Sequence, residues 1–243
     1  MRILRYKSLA STNSEATRLA GELHDGDVVV TRCQTVGRGQ RGNSWEAEPD
    51  KNLTFSVFFK PENLRAADSF RLSMAVSLAI ADVVGAELNS DEIKIKWPND
   101  IYWRNKKIAG ILIENAFSGP MVSHSIVGVG LNVNQAEFRS DAPNPVSMVQ
   151  IAGNEFDLDN LLETIVGAML VFVGSLMPYG ELEEKYHEKL WLNDGPHMWY
   201  EPGGEPFQAS IHDVAPSGHL TLIDERGVKR TYAFKEVFPV LPE

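Results

Sequence analysis

Residues 33–59 read CQTVGRGQRGNSWEAEPDKNLTFSVFF, and their context decides between two folds. Gly37-Arg38-Gly39-Gln40-Arg41-Gly42 satisfies G-x-G-x-x-G, the fingerprint of dinucleotide-binding folds, which needs a strand before the glycines and a helix opening on them. The strand is expected over residues 27–34, which carry Val28, Val29, Val30 and Thr31. The helix fails. Residues 43–52 hold Asn, Ser, Trp, Pro and Asp, and 53–59 then alternate as another strand. A strand–loop–strand unit is therefore expected, and the dinucleotide reading is excluded. Gly37, Gly39 and Gly42 allow positive φ and close approach of backbone amides to a ligand. Arg38 and Arg41 add forked donors suited to carboxylate or phosphate. An ordinary surface loop would share the glycines, but the interleaved arginines point to a clamp for a small anion.

The 243-residue chain is long enough for one sizeable domain plus a small one. Its hydrophobic content of 43% and charged content of 23% predict a packed core rather than disorder. The net charge of −10 argues against broad nucleic-acid binding, which needs many phosphate-neutralising side chains. No run is expected to span a membrane, and residues 1–8 lack a signal-type apolar region, so a cytoplasmic location is expected. Cys33 is the single cysteine, excludes an internal disulfide and reads as a small buried hydrophobe. The six histidines are dispersed, with no zinc spacing.

Ser11-Thr12-Asn13-Ser14-Glu15 predicts a helix start, with Thr12 and Glu15 at capping-box spacing and Ala16, Leu19, Ala20 and Leu23 continuing it. Residues 70–84 predict a helix with Leu72, Ala75, Val76, Ala79, Ile80 and Val83 on one face. Residues 93–97 alternate as a strand with one charged face, and Pro98-Asn99-Asp100 is turn chemistry. A hairpin of 101–103 and 108–115 around 104–106 follows, then a strand over 124–134. Long helices are expected over 158–176 and 181–190. After Asn193-Asp194-Gly195-Pro196, short alternating runs at 198–201, 207–214, 220–224 and 229–234 suggest a small β-barrel module.

Lys94, Lys96, Arg104, Lys106 and Lys107 fall within fourteen residues, opposed only by Asp100. For Lys94, Arg104 and Lys106 a solvated sheet edge is the expected setting, where charge blocks edge pairing. Lys107 differs, because it enters the apolar strand Ile108-Ala109-Gly110-Ile111-Leu112-Ile113. Gly110, with Gly128 and Gly130 of VGVGLN, suggests close approach of another group, since a strand glycine otherwise weakens packing. Together these glycines outline a slot across the sheet.

GRGQRGNSW, KWPND, KKIAGILIE and VGVGLNVN, in this order after an STN opening, resemble the biotin protein ligases (biotin–[acetyl-CoA carboxylase] ligases) from about residue 8 to 134. The ending YAFKEVFPVL resembles their small SH3-like domain. The resemblance implies an α+β fold, a mixed sheet with packed helices over residues 1–190, then an SH3-like β-barrel over 191–243. It implies that biotin and ATP form biotinyl-5′-AMP, whose biotin passes to a lysine of a biotin carboxyl carrier protein. Lys107 and Arg38 match the catalytic cations. Ser11, Thr12, Asn13, Gln34, Gly37, Gly39, Gln40, Gly110 and Gly128 match the biotin site, with Arg38 and Lys107. Arg41, Trp45, Asn99 and Asn132 join Arg38 and Lys107 at the nucleotide. Core filling would serve equally for Trp45, and turn formation for Asn99 and Asp100. Mg²⁺ is implied with the triphosphate, and Asp100 is its candidate ligand. Gln40 stands where many relatives carry arginine, so weaker retention of the adenylate is expected unless Arg41 compensates.

A lipoate or octanoate transferase of the same fold is the alternative, though the arginine-and-glycine pattern of those families is absent. A DNA-binding regulator is disfavoured by the STN motif at residue 11 and by the acidic charge. The resemblance leaves monomer and homodimer both open, and no nucleic-acid or membrane partner is expected.

Overall fold

The computed structural model describes residues 1–39, 44–139, 144–174 and 178–241. Gln40, Arg41, Gly42 and Asn43 of the glycine-rich loop lie outside that set. Seven strands form a mixed sheet: β1 (Ile3–Tyr6), β2 (Val28–Thr31), β3 (Leu53–Phe59), β4 (Ile93–Lys96), β5 (Asp100–Trp103), β6 (Lys106–Ser118) and β7 (Met121–Leu131). Their order is β1-β2-β3-β7-β6-β5-β4. The β1–β2 pair is parallel and the rest are antiparallel. The β2–loop–β3 unit is thus an antiparallel pair, as its context required, and no helix opens on the glycines. β2 is four residues long, shorter than the eight expected. Edge strand β1 had no sequence expectation.

Period-two alternation separates the two faces of the sheet. Val28, Val30, Phe55, Val57, Val127 and Val129 face the main core, with helices α2 (Phe70–Leu88) and α4 (Leu158–Gly174). Val29, Phe58 and Ile126 face the other way, against the short helix α1 (Thr12–Arg18). α1 covers only part of this second face. The rest is left open where β6 and β7 carry Gly110, Gly128 and Gly130, and Gly110 pairs directly with Gly130.

The cap of α1 falls one residue earlier than the capping-box reading. Ser11 is the N-cap and accepts from the Ser14 amide; Glu15 instead accepts from the Tyr6 hydroxyl and from Arg18. The helix closes at Leu19, so Leu23 lies in the following turn. α2 extends beyond residue 84 and buries Met74, Ser77, Leu78 and Ala81 as well as the predicted face, of which Val83 alone is only half-buried. That all-round burial makes its pattern more apolar than an amphipathic helix. Contrary to the sequence expectation, residues 66–88 are long and apolar enough to cross a membrane, but 61% of the window is buried inside the fold, as a core helix would be. Helix α3 (Met148–Ala152) was not anticipated, although Ser147 and Gln150 form its capping box. α5 (Tyr179–Lys189) follows.

A second, five-stranded antiparallel sheet holds β8 (His197–Tyr200), β9 (Phe207–Val214), β10 (Leu220–Asp224), β11 (Lys229–Tyr232) and β12 (Phe238–Pro239), ordered β11-β10-β9-β8-β12. It agrees with the expected SH3-like module. Trp97 fastens it to the first sheet: its indole Nε1 donates to Gly218 O at 3.0 Å, and its ring meets Phe234 edge-on at 5.3 Å. Of the three cations expected at a sheet edge, Lys94 lies on the edge strand β4, whereas Arg104, paired with Glu92, and the exposed Lys106 sit at the β5–β6 turn, since β6 is an inner strand. Cys33 is half-buried rather than buried.

Candidate active site

A cleft of about 870 Å³ runs along the open face of the first sheet toward the second. Among the described residues, its lining includes five basic ones (Arg38, Lys96, Lys107, Arg139, Lys235) against two acidic ones, Glu46 and Asp100. In a protein of net charge −10, this excess of cations marks a site for anions.

At the α1 end, the side chains hold one another. The Thr12 amide donates to Gln34 Oε1 at 2.9 Å. Ser56 Oγ donates to Asn13 Oδ1 at 2.6 Å and lies 2.8 Å from Thr12 Oγ1. Asn13 Nδ2 donates to Glu114 Oε2 at 2.7 Å and to Leu112 O at 3.2 Å. Gly128 exists for this network, because a Cβ there would overlap the Asn13 carboxamide. Ser11 has the capping role that its hydroxyl suggested, with Thr12 and Asn13 buried beside it.

Lys107 reaches the cleft through an irregularity in the sheet. Ile101 pairs with Ala109 but Tyr102 pairs with Lys107, so Ile108 is an extra residue in β6. Such a bulge shifts the alternation by one and re-aims a side chain. Lys107 thereby shares a face with Gly110, where a Cβ would stand 3.3 Å from the ammonium. The ammonium pairs with Asp100 Oδ1 at 2.7 Å and lies 5.5 Å from the centre of the Trp45 ring. Both members of the pair are about three-quarters buried, at 24% and 23% exposure. The Lys107 backbone is pinned from the other side by Asn144 O and the Val146 amide.

Trp45 fills the glycine slot. A Cβ on Gly130 would run into its indole, and one on Gly110 would come within 3.1 Å of it. Its Nε1 is buried with no partner among the described residues. Gly37 serves the neck of the loop, where its carbonyl accepts from the Trp45 amide at 3.1 Å and a Cβ would strike the Trp45 carbonyl. Gly37 does not have the positive φ expected of it. Close approach, not backbone handedness, is what Gly37 requires.

Asn132 is 3% exposed; its Nδ2 donates to Val146 O at 3.1 Å while its Oδ1 has no partner among the described residues. Asn99 clasps the neighbouring strand instead of turning outward: its side chain donates to Ile111 O, and its own carbonyl accepts from the Ile111 amide. Arg38 does not approach the Lys107–Asp100 pair. Its guanidinium bonds Glu114 at 2.9 Å and Ser14 Oγ at 3.3 Å, toward the α1 end. Sequence reasoning missed Glu114, Ser56 and Lys96. The alternation of β6 could have found Glu114, which shares a face with Gly110 and Leu112.

These features join a glycine-shaped slot, a bulge-mounted lysine and a cationic loop on one mixed sheet. The model of the biotin/lipoate A/B protein ligase family matches residues 6–132, and the chain belongs to that family. Within it, the chain is 31% identical over 236 residues to a biotin–[acetyl-CoA-carboxylase] ligase of Paracoccus denitrificans, covering 94% of each chain. It is 36% identical over 220 residues to the ligase of that name from Mycobacterium tuberculosis, covering 87% of this chain and 79% of that one. Among solved structures, a biotin protein ligase from Aquifex aeolicus in complex with biotin and ATP superposes with a TM-score of 0.80 over 99% of both chains, at 22% identity. That likeness establishes the shared fold.

Proposed function

We propose that this chain is an ATP-dependent biotin ligase that forms biotinyl-5′-AMP and transfers biotin to a lysine of a biotin carboxyl carrier protein. The observation that carries the reading is Lys107, a largely buried ammonium mounted on a bulge inside a cationic cleft. In the first step a biotin carboxylate oxygen attacks the α-phosphorus of ATP, and pyrophosphate leaves. Two anions must meet, so positioning and fixed positive charge do most of the work. Lys107 is placed to bridge the carboxylate and the α-phosphate as it parts from Asp100. Arg38, whose present partner is Glu114, is the second cation for the carboxylate and adenylate.

Biotin is assigned to the α1 end, with Ser11, Thr12, Asn13, Gln34, Gly37, Gly39, Gly110 and Gly128. The nucleotide is assigned to Trp45, Asn99 and Asn132, where the unpaired Oδ1 of Asn132 suits an adenine amine. Gln40 and Arg41 keep the roles expected of them from sequence. Among the described residues, no cluster of three or more His, Cys, Asp or Glu could hold a metal. Mg²⁺ would therefore enter on the ATP phosphates, with Asp100 as a single protein ligand. In the second step the carrier lysine attacks the mixed anhydride and AMP leaves, so no enzyme nucleophile is needed. The division at 190/191, a monomer or homodimer, a cytoplasmic location and the absence of nucleic-acid and membrane partners complete the proposal.

The test is ATP–pyrophosphate exchange. Exchange that depends on biotin, and that lipoate or octanoate does not support, is expected. Exchange with lipoate or octanoate alone would favour a lipoate or octanoate ligase of the same fold, and no exchange with any of the three acids would overturn the reading.

A further inference from the structure

Lys96 sits in the same cleft as Lys107 but on the other side of Asp100. It ends β4, and in the β4–β5 register it faces Asp100 directly. Its Nζ donates to the Tyr102 hydroxyl at 3.0 Å and stands 4.8 Å from the Tyr102 ring centre and 5.3 Å from that of Trp191. Asp100 gives its Oδ1 to Lys107, and no carboxylate among the described residues comes within ion-pairing distance of Lys96. Burial lowers the Lys96 pKa; Asp100 opposes this and Lys107 adds to it. An aromatic recess holding an ammonium is costly when a methionine would fill the same space. The cost is removed if an anion completes the site.

The position along the cleft selects the anion. The α1 network and the glycine slot lie on the Lys107 side of Asp100, whereas Trp191 and the second sheet flank Lys96. With biotin at the α1 end and its carboxylate meeting the α-phosphate at Lys107, the β- and γ-phosphates are left to run past Asp100. We propose that Lys96 binds the β,γ-diphosphate of ATP and receives the departing pyrophosphate, so that two ammonium groups divide the triphosphate between them. The P–O bond to the leaving group breaks as the biotin carboxylate oxygen bonds to the α-phosphorus, and the charge of the released pyrophosphate is taken up by Lys96. This rests on the ligase reading above.

The second half-reaction provides the control, because biotinyl-5′-AMP has no β- or γ-phosphate. In Lys96→Met, biotin-dependent exchange should fall about ten- to a hundred-fold, and the KM for pyrophosphate should rise. Biotin affinity by calorimetry, and transfer from synthetic biotinyl-5′-AMP to the carrier, should stay within about two-fold of wild type. Lys96→Arg, which keeps the charge, should retain most of the exchange and guards against simple misfolding of the methionine variant. Unchanged exchange in Lys96→Met, an equal fall in both half-reactions, or an arginine variant as impaired as methionine would each overturn the proposal. Should the wild-type protein show no exchange, the ligase reading fails. Calorimetry with inorganic pyrophosphate then decides for Lys96 alone: weaker binding by Lys96→Met supports it and equal binding refutes it.

Discussion

The α1 end of the cleft and the β5–β7 end handle their polar atoms in opposite ways. At the first, Thr12, Asn13, Ser56, Gln34 and Glu114 bond one another, so the shape stands without a ligand. At the second, Asn132 Oδ1 and Trp45 Nε1 are buried with no partner among the described residues, and none of those residues brings a carboxylate within ion-pairing distance of Lys96. Each unpaired buried group costs about 1–3 kcal/mol, which a ligand would recover. One end is therefore a preformed mould, and the other holds binding energy in reserve for the nucleotide.

The largest test of this contrast is Lys107→Met. It removes the ammonium shared by carboxylate and phosphate and leaves Asp100 without its partner. Adenylate formation should fall by about a hundred-fold or more, since each charge-assisted hydrogen bond is worth roughly 1.5–3 kcal/mol. Single-turnover assays read that step directly. Biotin binding by calorimetry should change far less, and an equal loss in both would break the division between the ends.

Two smaller substitutions set the ends against each other. Gly128→Ala forces a methyl group into the Asn13 carboxamide and should weaken biotin binding about ten-fold, with a stability loss of about 1–3 kcal/mol. Asn132→Ala gives up one hydrogen bond to Val146 O but also removes the unpaired acceptor. Its melting temperature should barely move, while the KM for ATP should rise about five- to ten-fold. Thermal unfolding of both variants with titrations of each substrate gives the answer. A destabilised Asn132→Ala with normal ATP kinetics would mean that the open end is also self-contained.

What the sequence made legible follows the same division by distance along the chain. Alternation over residues 53–59 and 207–214 returned β3 and β9 to the residue, because strand periodicity is local. The same alternation put Gly128 and Gly130 on one face of β7. What fills the space above them was hidden. The indole of Trp45 and the carboxamide of Asn13 arrive from elements far away in sequence, and no local pattern announces them. The bulge at Ile108 was also invisible, since residues 106–113 read equally well as a regular strand, which would have turned Lys107 away from Gly110. Ser11 and Thr12 were both credible caps, and only the Ser14 amide, bonding Ser11, distinguishes them. Lys96 shared its charge pattern with Lys94, yet Lys94 reaches the Glu188 carbonyl at the sheet edge while Lys96 is enclosed by Tyr102 and Trp191.

The smallest expected effect sharpens the contrast at its boundary, where the loop meets the mould. Glu114 bonds Asn13 with one oxygen and Arg38 with the other, so the biotin end and the loop share one carboxylate. The Arg38–Glu114 pair is partly exposed, at 46% and 34%, and such pairs contribute about 0–1 kcal/mol to stability. Glu114→Gln keeps an acceptor and removes the charge. Its melting temperature should therefore shift by only a degree or two. The functional sign should be favourable in one respect: biotin's carboxylate no longer competes with Glu114 for Arg38, so biotin affinity should hold or rise by up to about three-fold. Calorimetry on Glu114→Gln measures it, and a ten-fold loss of affinity would show instead that the Glu114 charge is what holds Asn13 in place for biotin.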